Sequence, residues 1–127
     1  MGIMSSMTGN AGPMNPSDAN DEFARLLAQG EKIYAAFNWV RDAMLFTNGR
    51  LILVDKQGIT GKKIEYLSIP YRSITHFAVQ TEGHLMAEAT LTIWIDNVKD
   101  PIEKEFNDKV DIYQVQGVLA AFAVTSG

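Results

Sequence analysis

The sequence contains no cysteine, only two histidines and four prolines, and no apolar run near the ~18 residues a membrane-spanning helix needs. Without cysteine there are no disulfides, thiolate nucleophiles, iron–sulfur clusters or cysteine-based zinc sites, and the redox compartment is left open. An excess of positive charge is also missing. Eleven Lys and Arg face fifteen Asp and Glu, a net charge of -4 with an isoelectric point near 5.0. That balance disfavours an extended nucleic-acid or anionic-membrane surface and leaves room only for a local basic patch. No internal repeat or low-complexity tract follows Ser17.

What is present is ordinary for one soluble globular domain: 127 residues, 46% hydrophobic and 20% charged, with a mean hydropathy of -0.04. Residues 1–16 carry no charged side chain and neither the basic nor the long apolar region of a signal peptide. They read as a flexible leader, with residues 17–127 as a single domain. Met1-Gly2 with Ser6 fits the loose myristoylation pattern, which is too permissive to outweigh that reading. The expected location is cytoplasmic.

Ser17 or Asp18 is placed to cap a short amphipathic helix over Asp18 to Gln29, with Phe23, Leu26 and Leu27 on one face and Gly30 as its stop. From Glu31 the period changes to two, with Ile33, Ala35, Phe37 and Trp39 on one side of a half-buried strand. Asn48-Gly49 between apolar β-formers predicts a hairpin with a type I′ turn, which needs positive φ at both residues. On that reading Gly49→Val costs on the order of 1–3 kcal/mol. Gln57 to Gly61 is a second turn, and Lys62 to Ile69 a strand ended by Pro70. Ile74, Phe77 and Val79 do not share a face, which predicts a bulge in Ser73 to Thr81. Thr90 to Asp96 alternates cleanly, with Leu91, Ile93 and Ile95 opposite Thr90, Thr92 and Trp94. Ile102 to Phe106 is a charged edge. A terminal helix capped by Asn107 or Asp108 carries the stripe Ile112, Val115, Leu119 and Phe122, and Gly117 within it is either a close-packing site or a weak point.

Phe46-Thr47-Asn48, Arg50 through Gly58, Gly61-Lys62-Lys63 and Ser68-Ile69-Pro70-Tyr71 followed by Ile74 resemble the bacterial pleckstrin-homology-like (PH-like) domain family. Gly30-Glu31, Ala36-Phe37, Arg41-Asp42, Leu91, Ile93-Trp94-Ile95 and Phe106 agree with it, so the resemblance spans about Phe23 to Phe122. Gln80 to Met86 departs from the family pattern. The resemblance implies a mainly β fold: a PH-like barrel or sandwich of about seven antiparallel strands in two near-orthogonal sheets, capped by a C-terminal α-helix, to which the chain adds a short N-terminal helix. It implies a non-enzymatic, self-associating module, with no catalytic or ligand residues to carry over.

Gly58-Ile59-Thr60-Gly61-Lys62-Lys63 has two residues between its glycines, against four in a phosphate loop, and Lys63 where that loop has a hydroxyl. It reads as a hairpin turn with solvated lysines, and Lys56, Lys62 and Lys63 are the candidates for a weak anion site. His76 and His84 lack ligand spacing, and the run Asp96, Asp100, Glu103, Glu105, Asp108, Asp111 lacks the calcium-loop pattern, so no metal and no cofactor are expected. No Gly-x-Ser-x-Gly elbow is present, and the chain is expected not to be an enzyme. The expected partners are copies of the chain itself, with a ring as the plausible closed form, and a protein the sequence does not identify. Nucleic acid and appreciable membrane binding are not expected; a weak lipid-headgroup or anionic-ligand module is the alternative. Trp94, on the outer side of its strand, is the candidate oligomer contact, unless it is tucked beneath Phe23 and Leu27.

Overall fold

The computed structural model describes residues 12–81 and 88–124. The helix begins earlier and ends sooner than the sequence suggests. α1 spans Pro16–Glu22, and its cap is Asn15, whose Oδ1 accepts from Ser17 N at 2.8 Å. Proline at the first helical position loses no hydrogen bond there, which lets the helix start two residues before Asp18, the expected first residue. Beyond it, Ala24–Leu26 is a 3-10 turn and Leu27 is extended. The reason is competition for the backbone: Leu26 O accepts from Arg50 Nη2 at 2.6 Å and Ala28 N donates to Glu31 Oε1 at 2.9 Å. A helix to Gln29 would have to break both.

Two antiparallel sheets form the body. The first has five strands in sequence order: β1 (Gly12–Met14), β2 (Ile33–Asn38), β3 (Asp42–Thr47), β4 (Arg50–Gln57) and β5 (Lys63–Pro70). The second has three: β6 (Ile74–Thr81), β7 (Ala89–Ile95) and β8 (Ile102–Phe106). α2 (Ile112–Leu119) and a wider turn at Ala120–Val124 follow. The strand beyond the expected seven is β1, which pairs Gly12 with Asn38 and Met14 with Ala36. Ordered structure therefore starts before Ser17; residues 1–11, with the myristoylation pattern, lie outside the described residues.

The five-stranded sheet is covered on both faces, which explains why Met44-Leu45-Phe46 and Leu51-Ile52 read as continuous apolar runs instead of alternating. Phe37, Met44, Phe46 and Leu51 meet Leu91, Ile93 and Phe106 of the second sheet and Val115 and Leu119 of α2. On the other side Leu45, Ile52 and Val54 meet Ala19 of α1, with Phe23, Leu26 and Leu27 packed alongside. A bulge between Ile33 and Ala35 corrects the expected alternation in β2: Ile33 joins Ala36 on the α1 side while Ala35 and Phe37 face the second sheet. The bulge expected in β6 is present between Ile74 and His76.

The Asn48-Gly49 hairpin is correct in register, with Phe46 opposite Leu51, but its turn is not type I′. Positive φ occurs at Gly30, Gly58, Gly61 and Asn97, and at neither Asn48 nor Gly49. Side chains hold the turn instead. Thr47 Oγ1 accepts from Gly49 N at 3.0 Å and from Arg50 N at 2.9 Å, and Asn48 Oδ1 accepts from Lys32 N at 2.9 Å. Gly49→Val therefore does not meet the positive-φ penalty that a type I′ turn would impose. At the far end Asp111, not Asn107 or Asp108, caps α2, its Oδ1 accepting from Tyr113 N at 3.0 Å. Ile112, Val115 and Leu119 are buried as expected, and Phe122 stacks on Tyr71 at 5.3 Å. Gly117 is exposed and an added Cβ would meet nothing within 4 Å, so close packing does not require it.

Candidate functional site

The hairpin of β4 and β5 ends in the loop that carries the candidate cations. Gly58 at φ 79° and Gly61 at φ 68° turn the chain, and Gly61 N donates to Gly58 O at 3.3 Å. The phosphate-loop lookalike is thus the hairpin turn it was expected to be, with Ile59 fully in solvent. The neighbouring turn between β2 and β3 is tied to it: Arg41 Nη2 donates to Gly58 O, and Lys56 N donates to Arg41 O at 3.0 Å. Arg41, which its neighbour Asp42 offsets in the sequence, is therefore part of the same tip.

Register decides what the three lysines can do together. Lys56 is opposite Ile64 and Gln57 opposite Lys63, so Lys56 faces the α1 side of the hairpin and Lys63 the other. Both are exposed, as is Lys62. They ring the tip and do not line one cradle. Beside them a cleft of about 100 Å³ runs between α1 and the β2–β3 turn, walled by Phe23, Val40, Arg41, Asp42, Val54 and Lys56. That is below the ~300 Å³ at which small-molecule sites begin. Asp42 and Asp55 are directly opposed across β3 and β4 and hydrogen-bonded to one another. Burial and that bond raise the Asp42 pKa from its ordinary value, against the pull of Lys104 at 3.7 Å. Gln57 Nε2, donating to Asp55 Oδ2 at 3.1 Å, holds the Asp55 pKa low with help from Asp42.

β5, the strand ending at Ile69-Pro70, whose edge is less protected in the sequence than the charged strand from Ile102, is itself an exposed surface. It is the edge of the five-stranded sheet, and Lys63 to Ser68 are all exposed. Ile64, Tyr66 and Leu67 keep 38%, 46% and 45% of their surface in solvent. Tyr66 is opposite Val54 and so lies on the α1 side with Lys56 and Ile64, whereas Leu67 is opposite Leu53 on the other side. In sequence this strand is as apolar as its neighbours. Only its position beyond the cover of α1 and the second sheet exposes it.

Trp94 lies on the outer face of the second sheet, as expected from alternation, and not beneath Phe23 and Leu27, which pack against the opposite side of the molecule. Its ring stacks on His76, 4.4 Å between centroids and 12° between planes. Thr75 Oγ1 donates to Trp94 O at 3.1 Å and lies 2.9 Å from His76 Nδ1. A hydroxyl has one hydrogen, so with that hydrogen on Trp94 O the imidazole Nδ1 is the donor to Thr75. His84 and the segment Gln80 to Met86 beyond Thr81 lie outside the described residues.

The polar cluster that sequence reasoning missed is at the opposite end of β4. Arg50 Nε and Nη2 donate to Glu31 Oε2 and Oε1 at 2.9 and 3.0 Å, and Nη1 donates to Ser68 Oγ at 2.6 Å. Thr47 Oγ1 lies 2.6 Å from Glu31 Oε2, and Tyr71 OH donates to Thr47 O at 2.6 Å. The Glu31 pKa is lowered to about 2, chiefly by the Arg50 hydrogen bonds, and burial raises that of Tyr71. Every member is engaged by another, so the cluster is a structural knot. Its only trace in the sequence is that Gly30-Glu31, Thr47 and Arg50 fall among the residues of the family resemblance.

Comparison with known proteins agrees with this architecture. Residues 2–123 match the bacterial PH domain family profile. The chain is 48% identical over 122 residues to the uncharacterised protein YjqA of Bacillus subtilis (strain 168), covering 95% of this chain and 98% of that one. It is 32% identical over 94 residues to the uncharacterised YozO of the same organism, covering 74% and 80%. Among solved structures, a DUF1696 family protein with a pleckstrin-homology domain from Shewanella loihica PV-4 superposes with a TM-score of 0.81 at 42% identity, covering 91% of this chain and 98% of that one. A pleckstrin homology domain from Shewanella amazonensis SB2B gives 0.72 at 39%, covering 87% and 99%.

Proposed function

The chain belongs to the bacterial PH domain family, and we propose that it is a non-enzymatic, cytoplasmic interaction module that assembles with copies of itself and presents its remaining surface to a protein partner. The observation that carries the proposal is β5. An edge strand offers a row of unpaired N–H and C=O groups, and monomeric proteins blunt such edges with charge, proline, bulges or shortness. β1 is three residues long and β8 carries Glu103, Lys104 and Glu105. β5 is eight residues long, keeps Ile64, Tyr66 and Leu67 in solvent, and has proline only at its last position. Aromatic residues on an uncovered edge are typical of interface cores. A head-to-tail contact that closes gives a ring.

The test is direct. Tyr66→Lys and Leu67→Lys, both at exposed positions, are expected to lower the mass seen by light scattering after size exclusion while leaving the circular dichroism unchanged. Variants that fold and keep the parent's assembly overturn β5 as the contact strand.

Lipid-headgroup binding is the weaker reading. Lys56 and Lys63 face opposite sides of the hairpin, and Asp42, Asp55 and Glu65 share the same end. At about 1 kcal/mol per basic residue near an anionic surface, so few net cations give little attachment. No described helix is long and apolar enough to cross a membrane. Sedimentation with phosphatidylserine vesicles at physiological salt is expected to leave the protein in the supernatant; pelleting that a Lys62→Glu/Lys63→Glu variant abolishes would restore the lipid reading.

A further inference from the structure

We infer that β1 and α1, Gly12 to Phe23, form a hinged arm that opens from the five-stranded sheet as one unit, with Asn20 as its latch. This holds whether or not copies of the chain associate. The root of the arm is fixed and the rest is lightly held. At the root, Arg50 Nη2 donates to Leu26 O at 2.6 Å and Ala28 N donates to Glu31 Oε1 at 2.9 Å, which ties the chain to the sheet just after Phe23. Beyond the root, α1 has seven residues and β1 three. Elements this short do not persist without a surface to lie on. Among the described residues, no salt bridge joins the arm to the sheet.

The packing beneath the arm is separable from the main core. Ala36, Ala43, Leu45, Ile52 and Val54 belong to a cluster that shares no buried residue with the core between the two sheets. The arm contributes one fully buried side chain to it, Ala19, while Met14 and Phe23 are half-buried. The cleft between Phe23 and Val54 shows that the arm does not close fully on the sheet. An element with so little buried apolar surface opens at a lower free energy than the core does.

Asn20 holds the arm shut. β1 reaches along β2 only as far as Met14, opposite Ala36, so it gives Ile33 no partner. The Asn20 side chain takes that place. Its Oδ1 accepts from Ile33 N at 3.0 Å, and its Nδ2 donates to Ile33 O at 2.9 Å and to Pro16 O at 2.8 Å. One carboxamide therefore satisfies both backbone groups of a residue with no surface in solvent. In the open form water reaches those groups, so the Asn20 bonds favour the closed form alone. Opening uncovers an apolar face bordered by the free edge of β2, which is the kind of surface that recruits a partner. The closed arm masks it.

Hydrogen exchange of the full chain tests this. Ala19 N and Phe23 N are bonded within α1, to Asn15 O and Ala19 O, and Ile33 N to Asn20. In the parent these three amides are expected to share one protection factor, on the order of a hundredfold below that of β4, which is paired on both sides. Their exchange should also depend less on urea, because less surface opens. Val115→Ala, in the core between the sheets, should speed β4 exchange about tenfold or more and leave the arm amides unchanged. Asn20→Ala should speed Ala19 and Phe23 about tenfold or more. Circular dichroism verifies the fold of each variant, and if Val115→Ala does not fold, the parent's urea series decides. Arm amides with the protection and urea dependence of β4, or with the same response to Val115→Ala, overturn the arm as a separate unit. Three unequal protection factors overturn the single opening, and an Asn20→Ala protein with unchanged Ala19 and Phe23 exchange overturns the latch.

Discussion

The two ends of β4 use polar side chains in opposite ways. At the Arg50 end, Glu31, Thr47, Arg50, Ser68 and Tyr71 satisfy one another and hold the segment after α1 against the sheet. At the Gln57 end, Lys56, Lys62 and Lys63 are exposed and form no ion pair with described residues, and the strand leading from them keeps its apolar residues in solvent. The same hairpin therefore carries a closed polar cluster at one end and an open one at the other. Groups that satisfy each other stabilise the fold; groups left unsatisfied beside exposed apolar surface are available to a partner.

The sharpest way to break this comparison is at the closed end. Arg50→Ala removes a two-pronged bond to Glu31 and leaves that carboxylate, whose side chain is 8% exposed, without its counter-charge. A loss of about 3 kcal/mol is expected in urea unfolding; a loss below about 1 kcal/mol would mean the knot is not structural. The same pair sets the acid limit. Glu31 has a folded-state pKa of about 2 against an ordinary value of 4.5, so its contribution is complete above pH 4.5 and disappears as pH falls toward 2. An unfolding series from pH 6 to pH 2 should show that loss, and Glu31→Gln should flatten it.

The turns at the two ends differ in a way a single methyl can read. Gly61 has a φ of 68° and an added Cβ would sit 3.3 Å from Arg41 Nη2, whereas at Gly49 the nearest atom is 3.7 Å away and φ is not positive. Gly61→Ala is expected to cost about 1–2 kcal/mol. Gly49→Ala, without the left-handed penalty, should cost under about 0.5 kcal/mol. Equal costs would show that the two turns have been distinguished wrongly.

The smallest effect is expected at the open end. Lys62→Glu/Lys63→Glu should change stability by no more than about 0.5 kcal/mol, because neither side chain forms an ion pair within the chain. A larger change would mean that the tip also has an internal role.

Much of the fold was legible because its period and its turns are local properties. The register of β3 with β4, the turn at Gly58 to Gly61, the β6 bulge and the α2 stripe all follow from residues close in the chain. What escaped depends on distant partners. The helix ends before Gln29 because Arg50 takes the Leu26 carbonyl, 24 residues away. Ile33 changes face because a bulge beside Tyr34 shifts the register with β3. Gly49 is spared a positive φ because Thr47 and Asn48 hold the turn from their side chains. For the candidate surfaces, alternation placed Trp94 on an outer face, but that Lys56 and Lys63 point apart, and that β5 lies outside the cover of both layers, follows only from the assembled register.

The claim that the open end exists to be occupied is tested most directly by the solution mass of the unaltered chain. Light scattering coupled to size exclusion, at micromolar concentration and physiological salt, should give one discrete mass that is a multiple of 14.0 kDa. A mass of 14.0 kDa across the concentration range would contradict the account.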